Sequence, residues 1–221
     1  MVRKKHPMLK KNVIVRANVA GVHAGTVESI DGDTVILVTA VASNETRDID
    51  FFPLTCEYIE KAYAGGKIPG GFFKREAKQR DEEILICRLM DRPLRPMFPS
   101  GFRTETQIIA TLLSADPQVK ADVLALTGAS AALHISDIPF DGPLAGVRVA
   151  RVNGQFIAFP TQDEVNQGDL DLVLAGTRNE IVMVEGGANE IAEADLIDAM
   201  EFGHQAIKPL LDLQDAMRES I

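Results

Sequence analysis

Gly70-Gly71-Phe72-Phe73-Lys74-Arg75-Glu76, followed by Arg88-Leu89-Met90-Asp91-Arg92-Pro93-Leu94-Arg95-Pro96, is the part of the sequence from which the rest is best read. The glycine pair frees the backbone. Two adjacent phenylalanines and two cations follow, a combination suited to a flexible, stacking, negatively charged polymer such as single-stranded nucleic acid. Arg88 and Arg92 stand four residues apart, on one face of a helix that Pro93 is expected to end. Guanidinium forks on one face match phosphate oxygens. A plainer arrangement of the same residues is an aromatic pair packed in the core, with the arginines salt-bridged to Glu82, Glu83 or Asp91.

The 221 residues are 46% hydrophobic and 25% charged, as in an ordinary globular protein. No apolar run reaches the ~18 residues of a membrane span. Five basic residues (Arg3, Lys4, Lys5, Lys10 and Lys11) lie near the N-terminus with no apolar segment of signal-peptide length after them, so secretion is not expected. Cys56 and Cys87 are the only cysteines and lack a C-x-x-C spacing; buried free thiols in a reducing cytoplasm are expected. His6, His23, His134 and His204 have no metal-ligand spacing, so no zinc site is expected.

The net charge of −9 argues against indiscriminate binding of nucleic acid. Its distribution is uneven. Residues 1–120 hold 18 basic and 15 acidic side chains; residues 121–221 hold 5 and 17. Basic residues gather at Lys74, Arg75, Lys78, Arg80, Arg88, Arg92 and Arg95, where a polyanion would be met. The acidic half would face away from it or face a basic partner.

Strands are expected at 13–16, 34–41, 51–60 and 106–114, with Asp31-Gly32-Asp33 as a turn. Pro53 suggests an edge or bulge. Residues 64–71 read as glycine-rich loop. Helices are expected over 77–92, from Pro117 to Ala132, and over 188–217 with a break near Lys208-Pro209. Residues 144–152 and 155–160 form a hairpin around Asn153-Gly154. A second strand pair spans 169–175 and 180–185. This order is an α+β or mixed pattern of βα units. Neither G-x-G-x-x-G nor G-x-x-x-x-G-K-[ST] occurs, so no dinucleotide or P-loop site is indicated.

Several ordered motifs together carry a resemblance: Gly32-Asp33-Thr34-Val35-Ile36-Leu37-Val38-Thr39-Ala40, Asp50 to Thr55, Gly65 to Glu76, Arg88 to Pro99, Thr127-Gly128-Ala129-Ser130-Ala131-Ala132-Leu133 and Pro160 to Glu164. Over about Val13 to Met217 the chain resembles the first ribonuclease-PH-like core of the polynucleotide phosphorylase family. The fold implied is α+β, with βα units like those of domain 2 of ribosomal protein S5 and mixed sheets packed with helices. The organisation implied is a basic tail at 1–12, a β-rich core at 13–187, and a helical part of the same core at 188–221 that leads to a linker.

The family degrades RNA from its 3′ end with inorganic phosphate and Mg²⁺, releasing nucleoside diphosphates, from a trimeric ring of chains that each carry two cores. The resemblance implies RNA binding by Phe72, Phe73, Lys74 and Arg75 in a channel loop, and by Arg88, Arg92 and, more weakly, Arg95. Lys74 stands where the family usually has arginine. A homo-oligomeric ring or a partner core, a cytoplasmic location and no membrane association are implied as well. A second core is not expected within these 221 residues.

The resemblance also implies that no catalytic residue or metal site belongs to this core. The active second core of the family has a serine-rich turn that holds phosphate; the matching positions here are Lys120, Ala121 and Asp122. Its Asp-x₅-Asp-x-Lys set matches Val165, Asp171 and Val173, which leaves Asp171 as a remnant. The usual Ala-Arg-Gln-Ala run is replaced by Ala20-Gly21-Val22-His23. The Mg²⁺ site is therefore expected in the second core. Two alternatives remain at this level: a stand-alone, non-catalytic subunit of an exosome-like ring, and a metal hydrolase built on Asp163, Glu164, Asp169 and Asp171.

Overall fold

The computed structural model describes residues 16–18, 24–31, 33–46, 48–70, 76 and 78–221. The first sheet contains β1 (Arg16–Asn18), β2 (Ala24–Asp31), β3 (Thr34–Thr46), β4 (Leu54–Glu60) and β5 (Thr104–Ser114), in the order β1-β2-β3-β5-β4. All its pairs are antiparallel except β4 with β5, so the sheet is mixed. Ile36, Val38 and Ala40 on β3 and Ile108, Ala110 and Leu112 on β5 are buried at alternate positions, which places one face of the pleat on the core. Helix α1 (Asp81–Leu94) follows β4, α2 (Asp122–His134) follows β5, and α4 (Glu193–Arg218) follows the second sheet.

The second sheet is antiparallel. It contains β6 (Ala145–Val152), β7 (Gln155–Ala158), β8 (Leu170–Gly176) and β9 (Ile181–Ala188), in the order β7-β6-β8-β9. Asn153 and Gly154, both with positive φ, close the β6–β7 hairpin as a primed turn requires. The short α3 (Gln162–Gln167) lies between β7 and β8. Every residue of α2 except Thr127 is buried, because this helix is sandwiched between the two sheets. The alternation along β6 and β8 explains how. Val147, Val149, Leu170, Leu172 and Leu174 pack with Ala199, Ile207, Leu210 and Leu211 of α4, while Val173 and Ala175 turn to the core shared with α1 and α2. The fold is α+β.

Several expected boundaries move. Pro93 lies inside the last turn of α1, where it is buried with Leu89, Met90 and Leu94. Pro209 lies inside an unbroken α4, flanked by buried Ile207, Leu210 and Leu211. In both places packing offsets the lost N–H bond. The second helix starts at Asp122 rather than Pro117. Asp116 diverts the chain first: its carboxylate accepts the Gln118 N–H and its carbonyl accepts the Val119 N–H, which closes a turn instead of a helix. Residues 62–65, which overlap the start of the loop expected at 64–71, form a 3-10 turn with Ala64 buried. β2 and α3 were not anticipated, although Thr161 and Glu164 make a capping box that marks α3. Of the strand expected at 13–16, only Arg16 lies among the described residues.

β4 is an edge strand, and its outward backbone groups need partners. Side chains on or beside α1 supply them. Cys87 Sγ accepts the Tyr58 N–H at 3.1 Å, Gln79 donates to the Tyr58 carbonyl at 3.2 Å, and Glu83 accepts the Glu60 N–H at 2.8 Å. Arg95 donates to the carbonyls of Phe52 and Leu54 at 2.9 and 3.3 Å. α1 thus takes the place of a neighbouring strand, and its orientation is set by these bonds.

Candidate nucleic-acid interface

The zipper along β4 decides which arginines of α1 are available. Arg95 is committed to the fold: besides the two carbonyls it holds both oxygens of Asp91, at 3.1 and 2.6 Å, and its guanidinium lies 5.7 Å from the Phe52 ring centre. Arg88 and Arg92 are both exposed. Arg92 Nη1 pairs with Glu185 Oε2 of β9 at 2.5 Å, in a bridge whose side chains are about half exposed. Among the described residues no ion pair engages Arg88. Of the acids named beforehand as partners, Asp91 is taken by Arg95 and Glu83 by Arg80, so the outer face of α1 presents Arg88 and Arg92. Phe72, Phe73, Lys74 and Arg75 lie outside the described residues, as does Ala20-Gly21-Val22-His23. Both cysteines are free and half-buried, and burial pushes both thiols up.

Below this face lies a cleft of about 300 Å³ between α1 and the second sheet. Leu85, Ile86 and Leu89 form its apolar wall, Gly186 and Gly187 its floor, and Asp122, Arg148, Asp171 and Glu185 its polar lining. Arg148 dominates the chemistry. It projects from β6, is 7% exposed, and its guanidinium bonds Asp122 of α2 through one terminal nitrogen and Asp171 of β8 through the other. Burial works against its charge, but the two carboxylates outweigh burial and raise its pKa. Its Nε is buried without a partner.

Of the positions matched to the phosphorolytic set, Asp122, Asp171 and Val173 line this cleft, whereas Lys120, Ala121 and Val165 do not. Asp122 opens α2, where the helix dipole favours an anion, and its other oxygen accepts the Val123 N–H at 2.8 Å. The protein's own carboxylate thus occupies the helix terminus that would otherwise attract a phosphate. Lys120 is exposed, and Asp171 is paired with Arg148. Arg148 was missed in the sequence. Its signal was a charged residue inside the apolar run Gly146-Val147-Arg148-Val149-Ala150, a place where charge needs a buried partner.

The acids of the hydrolase reading do not come together. Asp169 pairs with Arg151, which holds it below the usual carboxylate range, and Arg151 also binds Asp195 at 2.5 Å. Glu164 belongs to the capping box of α3, and Asp171 belongs to Arg148. Among the described residues no group of three or more His, Cys, Asp or Glu side chains is placed to hold a metal ion. Among them, too, no helix is long and apolar enough to cross a membrane.

This architecture, two sheets around a buried helix, has a match among known families. Residues 10–139 match domain 1 of the 3′ exoribonuclease family and residues 142–206 match its domain 2. The chain belongs to the 3′ exoribonuclease family.

The relatives narrow the likeness further. The chain is 64% identical over 190 residues to the polyribonucleotide nucleotidyltransferase of Sorangium cellulosum, covering 86% of the chain and 25% of that protein. It is 51% identical over 222 residues to the enzyme of that name from Myxococcus xanthus, covering 97% of the chain and 31% of that protein. It thus spans about a quarter to a third of the length of these relatives. The crystal structure of rice (Oryza sativa) Rrp46 shares the fold, with a TM-score of 0.72 at 16% identity over 93% of both chains.

Proposed function

We propose that this chain is the first core of a phosphorolytic 3′-to-5′ exoribonuclease, and that it grips RNA and scaffolds a ring while a second core carries out the chemistry. The reaction of the whole enzyme is attack of inorganic phosphate on the 3′-terminal phosphodiester, with release of a nucleoside diphosphate. Likeness to polyribonucleotide nucleotidyltransferases supports the reaction. The exposed pair Arg88 and Arg92 supports the grip, since two guanidinium groups one helical turn apart suit successive phosphates. Phe72, Phe73, Lys74 and Arg75 are assigned to the same grip by stacking and charge. Three chains in a ring, and a reducing cytoplasm that suits the free thiols of Cys56 and Cys87, complete the reading.

The observation that carries the division of labour is the guanidinium of Arg148 between Asp122 and Asp171. The Arg148 guanidinium already engages both carboxylates, so they do not suit Mg²⁺, and Asp122 fills the helix terminus that would otherwise favour a phosphate. The Mg²⁺ of the whole enzyme belongs, on this reading, to the second core.

The test is phosphorolysis. The purified 221-residue chain, given oligo(A), phosphate and Mg²⁺, is expected to release no nucleoside diphosphate, and an enzyme that also contains a second core is expected to release it. Phosphate-dependent shortening of RNA by this chain alone would overturn the division.

A further inference from the structure

The cleft between α1 and the second sheet combines open apolar surface with hydrogen-bonding groups that the fold leaves unused. Leu85, Ile86 and Leu89 supply the apolar part, and Leu85 is 58% exposed. The polar part is three carboxylates, Asp122, Asp171 and Glu185, and one guanidinium, Arg148. The volume of about 300 Å³ lies at the small end of ligand pockets and gives room for one flat ring.

Two groups of this lining are incompletely engaged. Arg148 is almost wholly buried, yet its Nε–H has no partner. A buried donor left unmet is costly, so an acceptor brought from outside is favoured there. Among the described residues, only Arg148 bonds the Asp171 carboxylate, and it does so through Oδ1. That leaves Oδ2 to accept, on a side chain that is 33% exposed. A phosphate brings acceptors alone and meets the carboxylates; a simple cation meets Arg148. A flat ring with an amino group beside a ring acceptor satisfies both unused groups. Cytosine, adenine and guanine are such rings, and uracil, which has no amino group, is not.

We propose that this cleft is a base slot: it takes one amino-bearing nucleobase of the RNA strand, the amino group donating to Asp171 Oδ2, a ring acceptor meeting Arg148, and the ring lying against Leu85 and Leu89. The inference deepens the RNA-gripping reading and rests on it, because the arginines of α1 bring the strand to the slot. Glu185 links the two, since it lines the cleft and also pairs with Arg92. A phosphate held by Arg92 therefore leaves its nucleotide at the rim. The phosphate contacts position the strand, and the base edge discriminates.

Cytosine and uracil are alike in size, so comparing them isolates the edge. With the Leu and Ile methyl groups of the 221-residue chain labelled, cytidine is expected to shift the NMR signals of Leu85, Ile86 and Leu89, and uridine at the same concentration to leave them in place. Oligo(C) should bind about two- to tenfold more tightly than oligo(U), the range of one net hydrogen bond. Gly187 lines the cleft, and a Cβ added there would meet no atom within 4 Å. Gly187→Val should therefore leave melting unchanged while abolishing both the cytidine shifts and the preference for oligo(C). Asp171→Asn keeps an oxygen for Arg148 and puts an amide donor in the place of Oδ2. It should turn the preference towards oligo(U), a reversal that mere loosening of the fold would not produce.

Methyl signals unmoved by cytidine, or a preference for oligo(C) that survives Gly187→Val, overturn the slot. Salt-dependent binding of oligo(C) and oligo(U) with equal affinity also overturns it, and leaves the grip standing. Cytidine shifts without binding of either oligomer support the slot as a site for a free nucleoside and count against the RNA grip.

Discussion

Arg92 and Arg95 lie three positions apart, yet their surroundings assign them different work. Arg95 fastens the end of α1 to Phe52 and Leu54 and is neutralised by Asp91. Arg95→Ala is therefore expected to cost about 1.5–3 kcal/mol of stability, the range for hydrogen bonds to a charged group, with RNA binding by the folded protein nearly intact. Arg92 holds only an exposed bridge to Glu185, worth roughly 0–1 kcal/mol. Arg92→Ala should leave melting almost unchanged, weaken binding of single-stranded RNA and flatten its salt slope by about 0.7. Melting curves and RNA titrations at two salt concentrations check both variants, and a loss of stability in Arg92→Ala with unaltered binding would reverse the assignment. The spacing of Arg88 and Arg92 on α1 was legible because it is local. The commitment of Arg95 was not, because its carbonyl partners lie 41 and 43 residues away and are set by tertiary pairing. Arg148 was hidden for the same reason: Asp122 and Asp171 meet it only after α2 has been laid across the second sheet.

Elements follow the same rule. The β6–β7 hairpin was legible from Asn153-Gly154, and the alternating apolar strands from their period. Helix ends were not, because Pro93 and Pro209 are tolerated where burial of neighbouring residues outweighs one missing bond. The close passage of α4 over the second sheet depends on Gly203, where an added Cβ would run into Leu174 and stand 3.0 Å from Val149. The C-terminal end of α4 also meets α2. His134 Nε2 lies 3.1 Å from Asp215 Oδ1, its Nδ1 lies 3.4 Å from Arg218, and Arg178 holds the other oxygen of Asp215. Burial, with help from Arg218, lowers the His134 pKa against the opposing pull of Asp215. The folded state therefore prefers the neutral ring. The associated stability is fully present above the ordinary histidine value of about 6.5 and is lost as pH falls below it. The melting temperature is expected to drop between pH 7.5 and pH 5.5, and His134→Gln to shrink that drop. An identical pH dependence in wild type and variant would show that other groups govern it.

For the whole molecule, the question is what joins the two sheets. Apolar packing of α2 does most of it, and Arg148 is a buried polar joint: from β6 it binds the start of α2 and the neighbouring strand β8. A buried ion triad adds little compared with well-packed apolar residues, yet removing one member leaves uncompensated charge. Arg148→Ala strands Asp122 and Asp171 in a cleft that Glu185 also lines, and is expected to cost roughly 3–5 kcal/mol. Because Asp122 and Asp171 lie on different elements, this loss should loosen the contact between the halves rather than one hairpin. Asp171→Asn, which leaves Arg148 its bond to Asp122, should cost less. The chain has no tryptophan, so unfolding is followed by circular dichroism in urea. A single shifted transition in Arg148→Ala is expected if the two sheets still unfold together, and separate transitions if the joint also maintains their cooperativity. A midpoint equal to that of the wild type would mean that the triad contributes nothing net. On the proposed division of labour the same variant should still release no nucleoside diphosphate, since Lys120-Ala121-Asp122 offers no hydroxyl and Val173 no charge.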